Sequence, residues 1–220
     1  MKKFIVLDTE GMSNHNPYNI GYLIADRKGT IYAERNFAYL PAIIENVLDC
    51  EPAKELVVRG ASEILETEKY YYVKDKTEIL DALKKDILDY KVSDVWAYNC
   101  PFDNRMLRKL FGTDTIENLG ITFKCIWSAI TFSKLCSKKY FTFLLDNNYF
   151  TEKGNPISKA EIVYRYLFNE NNFVEEHTAL EDSKIELAIL LKAFKTKKKL
   201  VWNCSQPWKI LKEKYDKEKR

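Results

Sequence analysis

Apolar residues change their spacing along this 220-residue chain. KFIVLD (3–8) is a compact β-type run, followed by the polar stretch GMSNHNPYN (11–19). IGYLIAD (20–26), the turn signal RKG (27–29) and the alternating TIYAERNFAYL (30–40) predict two more strands joined as a hairpin. Residues 41–67 have helical character, and TEILDALKKDILDY (77–90) has the spacing of an amphipathic helix. DVWAYN (94–99) predicts a fourth strand, PFDNRMLRKLFG (101–112) a helix with proline in its first turn, and ITFKCIW (121–127) a fifth strand. Beyond residue 128 the pattern is mainly helical, with a loop at TEKGNP (151–156). A hairpin followed by strands that alternate with helices predicts an α/β chain, a mixed sheet covered by helices on its faces.

The helix that begins at HTALED (177–182) has an unusual start. Thr178 with Glu181 three residues on fits a capping box, which makes His177 and Asp182 the pair that normally forms a hydrophobic staple. An imidazole and a carboxylate are therefore predicted to meet where two apolar side chains usually do. The plain alternative is an acidic helix start favoured by the dipole, with a surface histidine before it. Asp182 shares a helix side with Ile185 and Ile189, so it is predicted to face inward, where a lone charge costs several kcal/mol, roughly the effective desolvation penalty of an ion.

Composition narrows the classes. With 46% hydrophobic and 14% aromatic residues the chain can bury a full core as one domain. The five cysteines, Cys50, Cys100, Cys125, Cys136 and Cys204, form no C-x-x-C pair, which points to reduced thiols and the cytoplasm. MKKFIVLDTE is too short in apolar residues for a signal peptide, and no run is long enough to span a membrane. The net charge of +3 is uneven: residues 195–220 carry ten Lys/Arg and three Asp/Glu, leaving 25 basic and 29 acidic residues in 1–194. A basic tail on an acidic body fits either a polyanion partner or a solvated helix with a fraying end. Trp202 and Trp208 predict that part of this tail docks on the body.

Three places collect carboxylates. Asp8 and Glu10 leave the first strand two residues apart, so both point to one side, at a strand end of the kind where α/β proteins bind ligands. Asp103 falls in the first turn of the helix after the fourth strand, beside the apolar stripe Phe102, Met106 and Leu110. Asp182 is the third place. An apolar strand ending in aspartate also opens haloacid-type phosphatases, but those carry a second aspartate where Glu10 stands.

FIVLDTEG (4–11), YNCPFDNRML (98–107) and HTALED (177–182), in this order, resemble the three motifs of the DnaQ-like DEDDh exonucleases, the RNase T and proofreading superfamily. The resemblance covers roughly residues 3 to 194 and implies a ribonuclease-H-like fold, a mixed five-stranded sheet flanked by helices. It implies an exonuclease domain over 1–194, with 41–67 a helical insertion and 195–220 a separate basic tail. Asp8, Glu10, Asp103 and Asp182 match the family's carboxylate ligands for two Mg²⁺ or Mn²⁺ ions, and His177 its general base. Asn99 and Phe102 match the family's Asn and Phe around the second motif, in support roles, and Gly11 and Met12 stand beside the acidic pair as expected substrate-side residues. The departures are Gly11-Met12 where many members have Thr-Gly, and Asn19 where an acidic residue opens the second strand.

The chemistry suits these residue types. Hard oxygen ligands favour Mg²⁺ or Mn²⁺, and an imidazole titrating near neutrality suits a base that takes a proton from water. The resemblance thus implies hydrolysis of phosphodiester bonds at 3′ ends, of single-stranded DNA by preference and of RNA as a further substrate, with a polymerase or replication protein as a conceivable partner. The rival readings are a catalytically silent nucleic-acid-binding or scaffolding module and the haloacid-type phosphatase. Tyr70, Tyr71 and Tyr72 fit a sheet edge or core better than base stacking, and His15 fits a solvated loop better than a phosphate contact.

Overall fold

A computed structural model describes residues 2–11, 15–46, 70–112, 118, 120–197 and 199–218. The first strand, β1 (Lys3–Glu10), pairs antiparallel with β2 (Asn19–Asp26), which pairs antiparallel with β3 (Ile31–Tyr39). Gly29, at φ 88°, makes the left-handed turn of that hairpin, where a residue with a Cβ would be strained. α1 (Leu40–Asn46) follows, and the remainder of the predicted helical stretch lies outside the described residues. Next come β4 (Tyr71–Val73), α2 (Lys76–Tyr90), β5 (Asp94–Ala97), α3 (Cys100–Phe111) and β6 (Thr122–Cys125). The last part is helical: α4 (Ile126–Ile130) running into a π-helical turn (Thr131–Leu135), α5 (Lys138–Asp146), α6 (Ala160–Phe168), α7 (Ala179–Phe194) and α8 (Pro207–Glu218).

The sheet order is β4-β3-β2-β1-β5-β6, with only β2 running against the rest. It is a mixed α/β sheet flanked by helices, consistent with a ribonuclease-H-like fold, but with six strands where five were expected. The sixth is the tyrosine cluster. Tyr71–Val73 pairs in parallel with Phe37–Tyr39 and closes one edge of the sheet. Three residues are too few to show a period, so no pattern marked them as a strand. The predicted strand ITFKCIW is shorter than expected, because Ile126 and Trp127 already belong to α4.

Side-chain alternation along β1 decides which face receives the site. Phe4 and Val6 enter the core shared with α4, α5, α6 and α7, whereas Ile5 and Leu7 enter the core shared with α2 and α3. By the same parity Asp8 and Glu10 fall on the α7 side. That helix lies very close to β2: a Cβ on Gly21 would come within 2.2 Å of the Leu180 nitrogen. The absence of a side chain at Gly21, which stands opposite Asp8 in the β1–β2 register, is what lets the first turn of α7 reach the sheet.

The basic tail is partly folded onto the same core. Leu211 and Tyr215 of α8 are buried there, with the Tyr215 ring 5.4 Å from Phe141 and 5.1 Å from Phe150. Trp202 also packs against this core, and its carbonyl accepts from the Cys125 amide at 3.1 Å. Among the described residues, no helix is long and apolar enough to cross a membrane.

Candidate active site

Asp8 and Glu10 lie at the carboxyl end of β1, Asp103 in the first turn of α3 after β5, and Asp182 in the first turn of α7. β1 and β5 are adjacent and parallel, so their ends open on one side, where ligands of α/β sheets bind. Asp103 is held to β1 directly: its Oδ1 accepts from the Thr9 amide at 3.1 Å and from the Thr9 hydroxyl at 2.9 Å. Ligand atoms of Glu10, His177 and Asp182 lie within 4.8 Å of one another. Asp8 lies within electrostatic reach of Asp103, Glu10 and Asp182.

The four carboxylates are crowded and desolvated. Burial, followed by the charge of Asp103, raises Asp8 well above the usual carboxylate range. Burial and then Asp8 push Glu10 up to about 10, and burial and then Asp8 push Asp182 to about 8. Asp103 is raised by burial to about 7, against the opposing pull of its hydrogen bonds from Thr9. The interaction between the two side chains raises Glu10 further and works against the rise of Asp182. The Oδ1 of Asp182 is buried without a hydrogen-bond partner. Among the described residues, no Lys or Arg forms an ion pair with any of the four. Such a pocket, rich in hard oxygen donors and short of protein cations, has the chemistry of a divalent-cation site.

The start of α7 does bring His177 and Asp182 together, but not through a capping box. Thr178 is the N-cap and makes no side-chain cap bond; its Oγ1 is buried without a hydrogen-bond partner, and Glu181 turns to Lys184 at 3.1 Å. The first helical amide, that of Ala179, donates instead to Asn19 Oδ1 at 2.9 Å. Asn19 is held in turn by its Nδ2, which donates to Asn36 Oδ1 at 2.7 Å and to the Phe37 carbonyl at 2.9 Å. The packing of the helix on Gly21 leaves the opening of β2 as the nearest acceptor, so the cap comes from the sheet. His177 is exposed and takes a left-handed backbone, φ 53°, a strained conformation for a residue with a Cβ.

Two further carboxylates stand beside the centre. Glu186, 4% exposed and one turn after Asp182, accepts from the Tyr98 amide at 3.1 Å and ties α7 to the turn that leads into α3. Its place four residues after an inward aspartate was the available signal for it. Glu175, in the loop before α7, is raised by burial and then by Glu161, and it lies within electrostatic reach of His177 and Asp8. Nothing local in the sequence marks it.

Of the expected substrate-side residues, Gly11, Asn99 and Phe102 stand on or beside β1 and α3, the elements that carry Asp8, Glu10 and Asp103. Gly11 ends β1 against α3, where a Cβ would meet Met106 Cε at 2.7 Å. Asn99 is the exposed N-cap of α3, and Phe102 is half-buried with the Arg105 guanidinium 5.5 Å from its ring. Met12 lies outside the described residues. His15 meets the Glu45 carboxylate of α1 at 3.3 Å.

No family model matches this sequence, and no curated protein matches it. Among solved structures, the chain is similar to E. coli Exonuclease I, crystallised in complex with a dA16 oligonucleotide, at 17% identity and a TM-score of 0.48. The likeness covers 87% of this chain, which spans 41% of that protein.

Proposed function

We propose that this chain is a divalent-cation-dependent 3′-5′ exonuclease that hydrolyses phosphodiester bonds at the 3′ end of nucleic acid, with single-stranded DNA the favoured substrate. The observation that carries this reading is the meeting of Asp8, Glu10, Asp103 and Asp182, from three separate elements, in a buried pocket with His177 at its rim. Buried like charges are tolerated only when protonated or neutralised. Asp8, Glu10, Asp103 and Asp182 would hold two Mg²⁺ or Mn²⁺ ions, which supply charge stabilisation at phosphate and favour a nucleophile at neutral pH. The exposed imidazole of His177 takes the proton of the attacking water at a ring nitrogen. Thr9, with two donors on one oxygen, holds the Asp103 carboxylate in a single orientation. Asn19 fixes the first turn of α7 and with it the distance between His177 and the acids.

The test is digestion of matched DNA and RNA oligomers, single and double stranded and labelled at either end, with Mg²⁺ or Mn²⁺ and with a chelator. Stepwise shortening of unpaired DNA from its 3′ end, absent in chelator, is the expected result. Binding without shortening would make the chain a silent nucleic-acid-binding module. Phosphate release from small monoesters alone would return the haloacid-type reading.

A further inference from the structure

A cleft of about 720 Å³ opens beside the acid centre. Its wall includes Asn99, at the N-cap position of the helix carrying Asp103, and Glu175, within electrostatic reach of Asp8 and His177. One part of its wall is an ordered aromatic pair: the indole of Trp127 lies parallel to the Tyr98 ring, centroids 6.2 Å apart at 12°. Both rings are pinned at their polar ends, Trp127 Nε1 to Ser158 Oγ at 2.9 Å and the Tyr98 hydroxyl to the Ser158 carbonyl at 2.7 Å. Another part is Trp208, from the first turn of α8, which is 43% exposed although Leu211 and Tyr215 of the same helix are buried. Lys159 lines the cleft, and the Lys209 ammonium lies 5.4 Å from the Trp208 ring.

We propose that this cleft seats an unpaired nucleobase of the strand whose 3′ end enters the acid centre, stacked on the indoles of Trp127 and Trp208. The inference rests on the nuclease reading of that centre. The acids repel the phosphates they must receive, so attraction has to come from the surroundings, and Lys159 on the cleft wall and Lys209 on α8 can supply it. Flat indole faces accept any base by stacking, and the amides of Asn99 and Asn155 suit polar base edges. A base held in a duplex is already stacked and paired, so the cleft selects single strands. The C-terminal helix thereby acquires a role, since Leu211 and Tyr215 anchor it so that Trp208 and Lys209 stand at the substrate.

The test uses the full chain in chelator, with single-stranded oligonucleotides carrying the fluorescent base 2-aminopurine at successive positions from the 3′ end. The parent is expected to quench one position near that end. Trp208→Ala should lose the quench and weaken binding roughly 10-fold, within the range measured for loss of one base–aromatic stack. Trp208→Phe should restore most of both, which a general loss of folding would not allow. A Trp208→Ala protein that binds and quenches within about twofold of the parent overturns the proposal, as does a parent that quenches at no position. Binding in chelator needs no cleavage, so this inference and the hydrolytic reading fail in different assays.

Discussion

Two regions of the molecule bury acid, and they treat it in opposite ways. On the α2 side, Asp86 is 3% exposed and fully answered: Arg35 Nη2 donates to its Oδ1 at 3.2 Å, Arg35 Nε lies 3.1 Å from its Oδ2, and the Tyr22 hydroxyl donates at 3.0 Å. At the carboxyl ends of β1 and β5, four carboxylates crowd together, Asp182 Oδ1 has no hydrogen-bond partner, and no Lys or Arg among the described residues forms an ion pair with them. A fork-shaped guanidinium completes the first arrangement from within the protein. Among the described residues, nothing but protons completes the second, which leaves room for something bound. The same residue type thus braces the fold in one region and stays open to a ligand in the other, and the difference lies in the neighbours supplied.

Substitutions at the two acid clusters should separate these arrangements most strongly. Asp8→Ala should reduce shortening of single-stranded DNA to the level of chelator-treated parent, and activity in that variant would end the two-ion reading. His177→Ala should lose cleavage by roughly 10² to 10⁴-fold, the range for a general base, while calorimetry still detects Mn²⁺ binding. Stability should move in opposite directions in the two regions. Arg35→Ala should cost about 3 kcal/mol in urea denaturation, because it leaves a buried carboxylate with one partner. Asp182→Asn should instead raise the melting temperature of the metal-free protein while abolishing cleavage, as removal of a destabilising functional charge does.

A change of pH should act on the same contrast more gradually. The site acids have folded pKa values above their unfolded ones, so the folded state binds more protons, and stability falls as pH rises. Their contribution is complete below the ordinary carboxylate range, about 4. It is lost through about 7 for Asp103, about 8 for Asp182 and about 10 for Glu10. The metal-free protein should therefore melt at progressively lower temperature from about pH 5 to about pH 10. Saturating Mg²⁺ should flatten that slope, and an equal slope with and without the ion would count against cation binding at these acids. The smallest effect is expected at Asn19→Ala, about 1 kcal/mol for a lost helix cap, with a drop in cleavage as the first turn of α7 loosens. Asn19→Asp keeps the acceptor for the Ala179 amide and should recover part of that activity.

What could be seen in the sequence was local or periodic. The β2–β3 hairpin announced itself by its turn, α2 by its stripe, and Asp8 and Glu10 by the two-residue repeat of an extended strand. The staple positions brought His177 and Asp182 together on paper as they do in space. Less legible were the parts that depend on partners far away in the chain. Asn19 caps a helix 160 residues later, and Tyr71–Val73 becomes a strand only because β3 offers it an edge. Thr178, for all its fit to a capping box, is displaced from that duty by the closeness of α7 to Gly21.

Residue type and short-range periodicity set what each segment can present to one side, and the resemblance of three short motifs to a known family then implied which of those side chains do chemistry. Three things had to wait for the folded chain: which acids would be left without a cation, which asparagine would hold the helix, and that a tryptophan in the basic tail would stand at the cleft. They depend on distances between elements, which are set by close packing across the whole molecule and leave no trace in any one stretch of it.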